Sequence, residues 1–261
     1  MPLSRSPSLS FETFWEQGGA ETKSKGKNRA YPPLSFSVDD LPTAADVRHA
    51  LYLKVLTEDG TPILFRTILR SDSNESTHNI RTIVCFIRHF LCPLCQDFLM
   101  SIARDVDPNV LKKAGLRLVI VGNGGWEMIK SYRRIFNLPY PIYTDPTAAL
   151  YTTLGMTLRT LDPGPKPRAS TSGSTIPETY VRHRSILSGV SFVLRNAVKA
   201  RMPIWKYMGD KEVLGGEFVF QLDKSSGLGS RSGKFECIFA HRMRYTTAHE
   251  EIGKVMEEAG M

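Results

Sequence analysis

Two cysteines spaced by a proline and a leucine, Cys92-Pro93-Leu94-Cys95, follow a run of β-branched and aromatic residues and precede a stretch with helical spacing. That placement carries chemical meaning. A thiolate, rather than a thiol, attacks peroxides and disulfides, and a free cysteine with a pKa of about 8.5 is mostly protonated at neutral pH. At a helix N-terminus, unpaired N–H groups and the positive end of the helix dipole favour negative charge. Arg88 and His89 lie a few residues upstream and add positive potential. Pro93 suits the first turn of a helix. The two-residue spacer lets one thiol close a disulfide on the other, so the pair can carry two electrons reversibly.

Two inert packed thiols, or part of a zinc site, are the competing readings. A zinc centre needs two further ligands at suitable spacing, and the chain has no second Cys-x-x-Cys and no His-x-x-x-His. Redox use is therefore the favoured reading, with no metal and no cofactor. Cys85 sits mid-strand as a buried, inert thiol. Cys237 reads the same way, with a distant resolving thiol as its alternative. His89 is read as a packing residue or a proton shuttle. Strand alternation places Arg88 on the face opposite Cys85 and His89.

The elements that must position these residues follow from pattern. Leu51–Leu56 and Pro62–Phe65 flank Glu58-Asp59-Gly60-Thr61, a hairpin signal. Arg81–Phe90 is nearly continuous in apolar residues, as in a central strand covered on both faces. Gln96–Val106 reads as a helix, Gly115–Gly122 as a second buried strand and Trp126–Phe136 as a second helix. Pro141–Tyr143 is a short extended piece, and Thr144 or Asp145 caps a short helix ending at Gly155. Glu217–Leu222 and Phe235–Ala240 form a strand pair, and a last helix runs from about Thr247 to Glu258. Parallel β-α units followed by an antiparallel pair and a terminal helix give an α/β, thioredoxin-like mixed sheet flanked by helices.

The chain has 261 residues, 41% of them hydrophobic, which is ample for one packed domain. Residues 1–44, rich in Ser, Pro, Gly and Lys, read as a disordered tail, and 45–261 as the domain. No apolar stretch is long enough to span a bilayer, and no secretory signal or transit peptide is legible. A cytoplasmic protein is expected, without membrane contact. The formal charge is +8, and residues 157–214 hold ten Lys/Arg against four Asp/Glu. Aromatics do not interleave with this charge, so no specific nucleic-acid partner is expected.

Several motifs make the chain resemble the alkyl hydroperoxide reductase and thiol-specific antioxidant superfamily, in its peroxiredoxin-like, Cys-x-x-Cys branch. They are Phe86–Cys95, Leu138–Pro146 continuing to Met156, Gly215–Phe220 and Phe239–Arg244. The resemblance implies that one cysteine attacks a hydroperoxide and becomes a sulfenic acid, which the other condenses with to a disulfide. Thioredoxin or glutathione would complete the cycle. The hydroxyl residue such enzymes carry three positions before the attacking cysteine is absent: His89 precedes Cys92, and Cys92 precedes Cys95. The attacking cysteine is therefore unassigned. Arg242 or Arg244 would be the later pocket arginine. Where a thioredoxin has its cis-proline, this chain has Gly215-Gly216, which disfavours a general protein disulfide reductase. The alternative is a repurposed thioredoxin-fold protein that binds a ligand or senses redox state.

Residues 157–213 form an insertion. Within it Ile186, Leu187, Val190, Val193, Leu194, Ala197 and Val198 line one side of a basic amphipathic helix, read as packing on the domain, as a lid over the cysteines, or as a surface for a membrane or partner. Met202–Met208 adds apolar surface that would suit a small-molecule pocket.

Overall fold

A computed structural model describes residues 36–70, 80–165, Tyr180, 204–223 and 234–261. All described residues belong to one compact unit, residues 35–261. The tail reading falls mostly, and the amphipathic helix of the insertion wholly, outside the described residues.

Seven strands form one sheet in the order β2-β1-β5-β4-β3-β6-β7. In chain order these are β1 Lys54–Leu56, β2 Pro62–Leu64, β3 Ile80–Phe86, β4 Leu116–Gly122, β5 Ile142–Thr144, β6 Gly216–Asp223 and β7 Lys234–Arg242. The central β3, β4 and β5 run parallel, while β6 pairs antiparallel with β3, and β7 with β6. The hairpin read from Asp59-Gly60 is present as β1 and β2. Alternation along the strands splits the core in two. Ile83, Cys85, Ile120 and Val219 face one side with the cysteine pair, whereas Val84, Phe86, Val119, Phe218 and Phe220 face the other. On that second side Phe86 meets Tyr151 and Phe218 edge-to-face, at 5.0 and 5.5 Å between ring centroids. Such contacts add about 0.5–1.5 kcal/mol each beyond area burial.

Eight helices accompany these strands among the described residues: α1 Ala44–Ala50, α2 Phe65–Ile68, α3 Pro93–Asp105, α4 Pro108–Lys113, α5 Ile129–Phe136, α6 Ala149–Thr153, α7 Ile204–Tyr207 and α8 Ile252–Glu258. Helix α1 was not evident from periodicity. A capping box holds its start, in which Thr43 and Asp46 bond each other's backbone N–H groups. Helix α4 also went unread; Asp107 caps it and Pro108 opens it.

Three differences from the sequence reading bear on the site. Strand β3 ends at Phe86 rather than continuing to Phe90, so alternation no longer governs Arg88 and His89. Helix α3 begins at Pro93, with Cys92 as its N-cap, so Cys95 lies in the first turn. The last helix begins at Ile252 and not near Thr247, which leaves His249 on non-helical chain.

Gly215-Gly216 enters β6 where backbones crowd. A Cβ on Gly215 would meet the Phe86 carbonyl oxygen at 1.9 Å, and one on Gly216 the His241 carbonyl oxygen at 2.3 Å. Gly253 in α8 has open space around it. Gly215→Ala is therefore expected to destabilise the protein by more than about 2 kcal/mol through backbone displacement. Gly253→Ala should be neutral or stabilising by about 0.5 kcal/mol. Urea midpoints of the two variants check the contrast.

Candidate functional site

The end of β3 and the start of α3 bring Arg88, Cys92 and Cys95 together. Cys92 Sγ accepts the Cys95 backbone N–H at 3.3 Å, as an N-cap does. It also receives the Arg88 guanidinium, with Nη1 at 3.3 Å. Arg88 is 5% exposed, and its Nη2 donates to the Lys211 carbonyl at 2.6 Å. Among the described residues no carboxylate lies within ion-pairing distance of it. A guanidinium does not lose its proton, and a buried charge needs a counter-charge. The sulfur of Cys92 is the group placed to supply it.

The thiol energetics follow from this geometry. Burial alone pushes the Cys92 thiol up. The Cys95 thiol hydrogen bond, Arg88, the Cys95 backbone N–H and His249 together outweigh it and hold Cys92 below the ordinary thiol range. Cys95 goes the other way, raised by burial and by the adjacent Cys92, with Arg88 opposing more weakly. These directions favour one thiolate and one thiol in the site, with the negative charge on Cys92.

Cys95 has partners of its own. Its sulfur receives the Arg88 backbone N–H at 3.4 Å and faces His249 Nε2 at 3.3 Å. His249 Nδ1 lies 2.6 Å from Glu217 Oε1, and His241 Nδ1 lies 2.9 Å from Glu217 Oε2. Glu217 is fully buried at the start of β6, and its neighbour across the strands is His241 of β7. Burial disfavours the Glu217 charge, but His249 and His241 outweigh this and keep its carboxyl below the usual range. The His249 ring stacks on Phe98 of α3 with centroids 4.3 Å apart, and its backbone N–H bonds the Tyr180 hydroxyl at 3.1 Å. Tyr180, from the inserted segment, also bonds the Thr247 carbonyl.

The remaining predicted residues lie elsewhere. His89 is buried, and its Nδ1 has no hydrogen-bond partner. Burial, Arg88 and Lys211 lower its pKa to about 3, so it stays neutral and serves packing rather than proton transfer. Arg242 is not brought to the cysteines. It donates to the carbonyls of Leu154 at 2.7 Å and Asp40 at 2.7 Å, and its guanidinium lies over the Phe218 ring on the opposite face of the sheet. Arg244 is exposed. Arg88 is therefore the arginine at the sulfurs, and the alternation argument misplaced it because β3 ends two residues earlier. Cys85 is fully buried with its thiol pushed well up by burial. Cys237 packs in the core on the far face, its thiol pushed up to about 12 by burial. Of the insertion, the Tyr207 and Met208 carbonyls bond the N–H groups of Gly125 and Phe90 and close over the site's edge.

Sequence reading missed Glu217, His249 and His241. Glu217 is an acid inside an apolar strand, Gly216–Leu222, and such a residue is seldom buried without partners. That was the available signal. His249 had none, since the predicted helix over 247–258 gave it an ordinary surface setting.

Comparison with known proteins places these residues in context. A model of the family described as AhpC/TSA antioxidant enzyme matches residues 104–245, more than half of the chain, and begins downstream of the cysteine pair. Peroxiredoxin-like 2C of Bos taurus is 26% identical over 232 residues, covering 89% of this chain and 82% of that protein. Its Homo sapiens counterpart is 26% identical over 229 residues, covering 88% and 81%. Among solved structures, Xanthomonas campestris Peroxiredoxin Q aligns with a TM-score of 0.43 at 13% identity, covering 84% of this chain and 90% of that one.

The Arg88–Cys92 pair makes a direct prediction. In a Cys95→Ser background, thiolate absorbance near 240 nm should report Cys92 alone, because burial holds Cys85 and Cys237 protonated. Arg88→Leu then removes the cation that favours the thiolate, so the midpoint should rise by about 1–3 pH units. An unchanged midpoint would mean that Arg88 does not set the charge of Cys92.

Proposed function

We propose, since the chain belongs to the AhpC/TSA antioxidant enzyme family, that it is a thiol-dependent oxidoreductase that reduces a hydroperoxide through a Cys92/Cys95 cycle. One observation carries the assignment of roles: Cys92 Sγ is the acceptor of both the buried Arg88 guanidinium and the first-turn N–H of α3. Cys92 is the attacking thiolate in this reading, and Cys95 the resolving thiol.

The thiolate attacks the distal peroxide oxygen and the O–O bond breaks. The departing alkoxide takes a proton to become an alcohol, and Cys92 becomes a sulfenic acid. Arg88 is placed to stabilise charge on the oxygens during that step. Cys95 then attacks the Cys92 sulfur, the S–S bond forms, and the hydroxyl leaves as water after taking a proton. A dithiol reductant of the thioredoxin type, or glutathione, supplies two electrons and two protons to restore the pair. Such reductants hold cytoplasmic thiols reduced, and that compartment suits four free cysteines. Among the described residues no helix is long and apolar enough to cross a membrane.

Both sulfurs are fully buried. Substrate therefore reaches Cys92 only when the surrounding chain opens; the neighbouring 207–212 segment is held by the Arg88–Lys211 bond, by the Asn123 side chain on the Asp210 backbone, and by the Tyr207 and Met208 carbonyls on Gly125 and Phe90.

Stoichiometric hydroperoxide added to the reduced protein tests the reading. The wild type and Cys237→Ser should each lose two thiols rapidly. Cys92→Ser should lose none at that rate, and Cys95→Ser should stop at a sulfenic acid that dimedone traps on Cys92. Thiol loss no faster than that of free cysteine in every variant would replace this reading with a redox-sensing or ligand-binding protein.

A further inference from the structure

We propose that His249 is the base that takes the proton of Cys95 when the disulfide closes, with Glu217 positioning it and His241 sharing that carboxylate. The inference rests on the Cys92/Cys95 cycle above and concerns its second step.

The geometry fixes the direction of each hydrogen bond. An ionised carboxylate only accepts, so the contact of 2.6 Å between His249 Nδ1 and Glu217 Oε1 requires the proton on Nδ1. In the neutral ring Nε2 is then an acceptor, and it faces Cys95 Sγ at 3.3 Å. Stacking on Phe98, which lies on the same helix as Cys95, and the backbone bond to Tyr180 hold the ring in that orientation. This sulfur–imidazole–carboxylate order is the general arrangement by which a thiol is given a base.

The Cys95 proton has two acceptors, the Cys92 thiolate and His249 Nε2. In the reduced protein the thiolate competes for it. Once Cys92 is oxidised to a sulfenic acid its charge is gone, and Nε2 becomes the stronger acceptor. The proton moves to His249 and Cys95 becomes a thiolate only after its target exists. It attacks the Cys92 sulfur, the S–O bond breaks, and the leaving hydroxide takes the proton from His249 to become water. On reduction the attacking thiol of the reductant supplies the proton that Cys95 takes as that sulfur leaves, with His249 Nε2 as the relay. Among the described residues, the charged and titratable groups around His249 are Cys95 of α3 and Cys92 at its N-cap, Glu217 of β6 with Cys85 opposite it on β3, the Tyr180 phenol, and Glu250, whose backbone N–H also bonds Glu217 Oε2. His241 of β7 acts through the second Glu217 oxygen and is 12% exposed. Burial lowers its pKa, but Glu217 outweighs this and raises it overall, so it competes with His249 for the carboxylate charge.

The test separates attack from closure. Reduced full-length protein is mixed with hydrogen peroxide. Thiol loss and dimedone-trappable sulfenic acid are followed by rapid quench and mass spectrometry from pH 5 to 9. His249→Gln should slow closure about 100-fold, the lower end of what a general base contributes; closure is read separately from attack, which also loses one group that favours the Cys92 thiolate. Two milder variants carry opposite expected signs. Glu217→Gln removes the negative charge beside His249, so the acid limb of the closure profile should move to lower pH. His241→Gln removes the competing cation, so it should move to higher pH. Diamide replaces peroxide if attack by peroxide itself fails. It adds to the Cys92 sulfur, and Cys95 then closes the disulfide and expels the hydrazine, so closure is read without peroxide chemistry. Closure within twofold of wild type in folded His249→Gln would overturn the proposal. If that variant does not fold, acid limbs that stay put in both milder variants would overturn it.

Discussion

A guanidinium buried against a sulfur organises this site. Arg88 cannot shed its charge, and leaving water costs several kcal/mol unless an anion meets it. The chain meets this constraint by ending β3 at Phe86, turning through Phe90, and presenting Cys92 at the first turn of α3. The same turn delivers a backbone N–H to the sulfur. A second guanidinium nitrogen, Nη2, reaches the Lys211 carbonyl near the end of the insertion, while Nε is buried without a partner. Charge on Cys92 is thus a consequence of where the strand stops and the helix starts. Neutralising either partner would leave the other as an uncompensated buried group.

The sheet keeps this chemistry apart from its support. One face holds the sulfurs, His249, Glu217 and the stacked Phe98. The other is an aromatic core of Phe65, Phe86, Phe218, Phe220 and Tyr151, in which Arg242 ties the 37–40 segment and the end of α6 to β7. Strands β3 and β6 serve both faces, since Phe218 supports one side while its neighbour Glu217 holds two histidines on the other. A second buried charge cluster, Glu217 between His241 and His249, is therefore built into the strand that flanks β3. Among the described residues, the hydrogen bond that joins it to the first cluster is the one between His249 and Cys95.

Sequence pattern revealed the sheet and the cysteine pair because both depend on local signals. The apolar runs Ile83–Phe86 and Leu118–Val121 carry the parallel core, and Asp59-Gly60 carries the hairpin. Proline after Cys92 marks the helix start. What pattern could not reveal depends on where elements stop. Arg88 was placed on the wrong face because apolar character continues past the last paired residue to Phe90. The later arginine implied by the family resemblance was sought near Arg242, where the sheet turns its side chain away from the sulfurs. His249 lies 154 positions from Cys95, and helical periodicity over 247–258 hid the non-helical stretch that carries it. Long-range polar contacts of this kind leave no period, and only an acid inside a strand, Glu217, signalled that something was there.

The chemistry of the site turns on which sulfur carries the charge. Site-resolved titration of the cysteine 13Cβ shifts in the reduced, labelled protein measures this directly, and it does not need reagent to reach buried thiols. Cys92 should titrate first, well below the pH of about 8.5 at which free cysteine is half ionised, while Cys95 stays protonated beyond that point. Ionisation of Cys95 before Cys92, or of both near the free-cysteine value, would contradict the assignment of Cys92 as the thiolate held by Arg88.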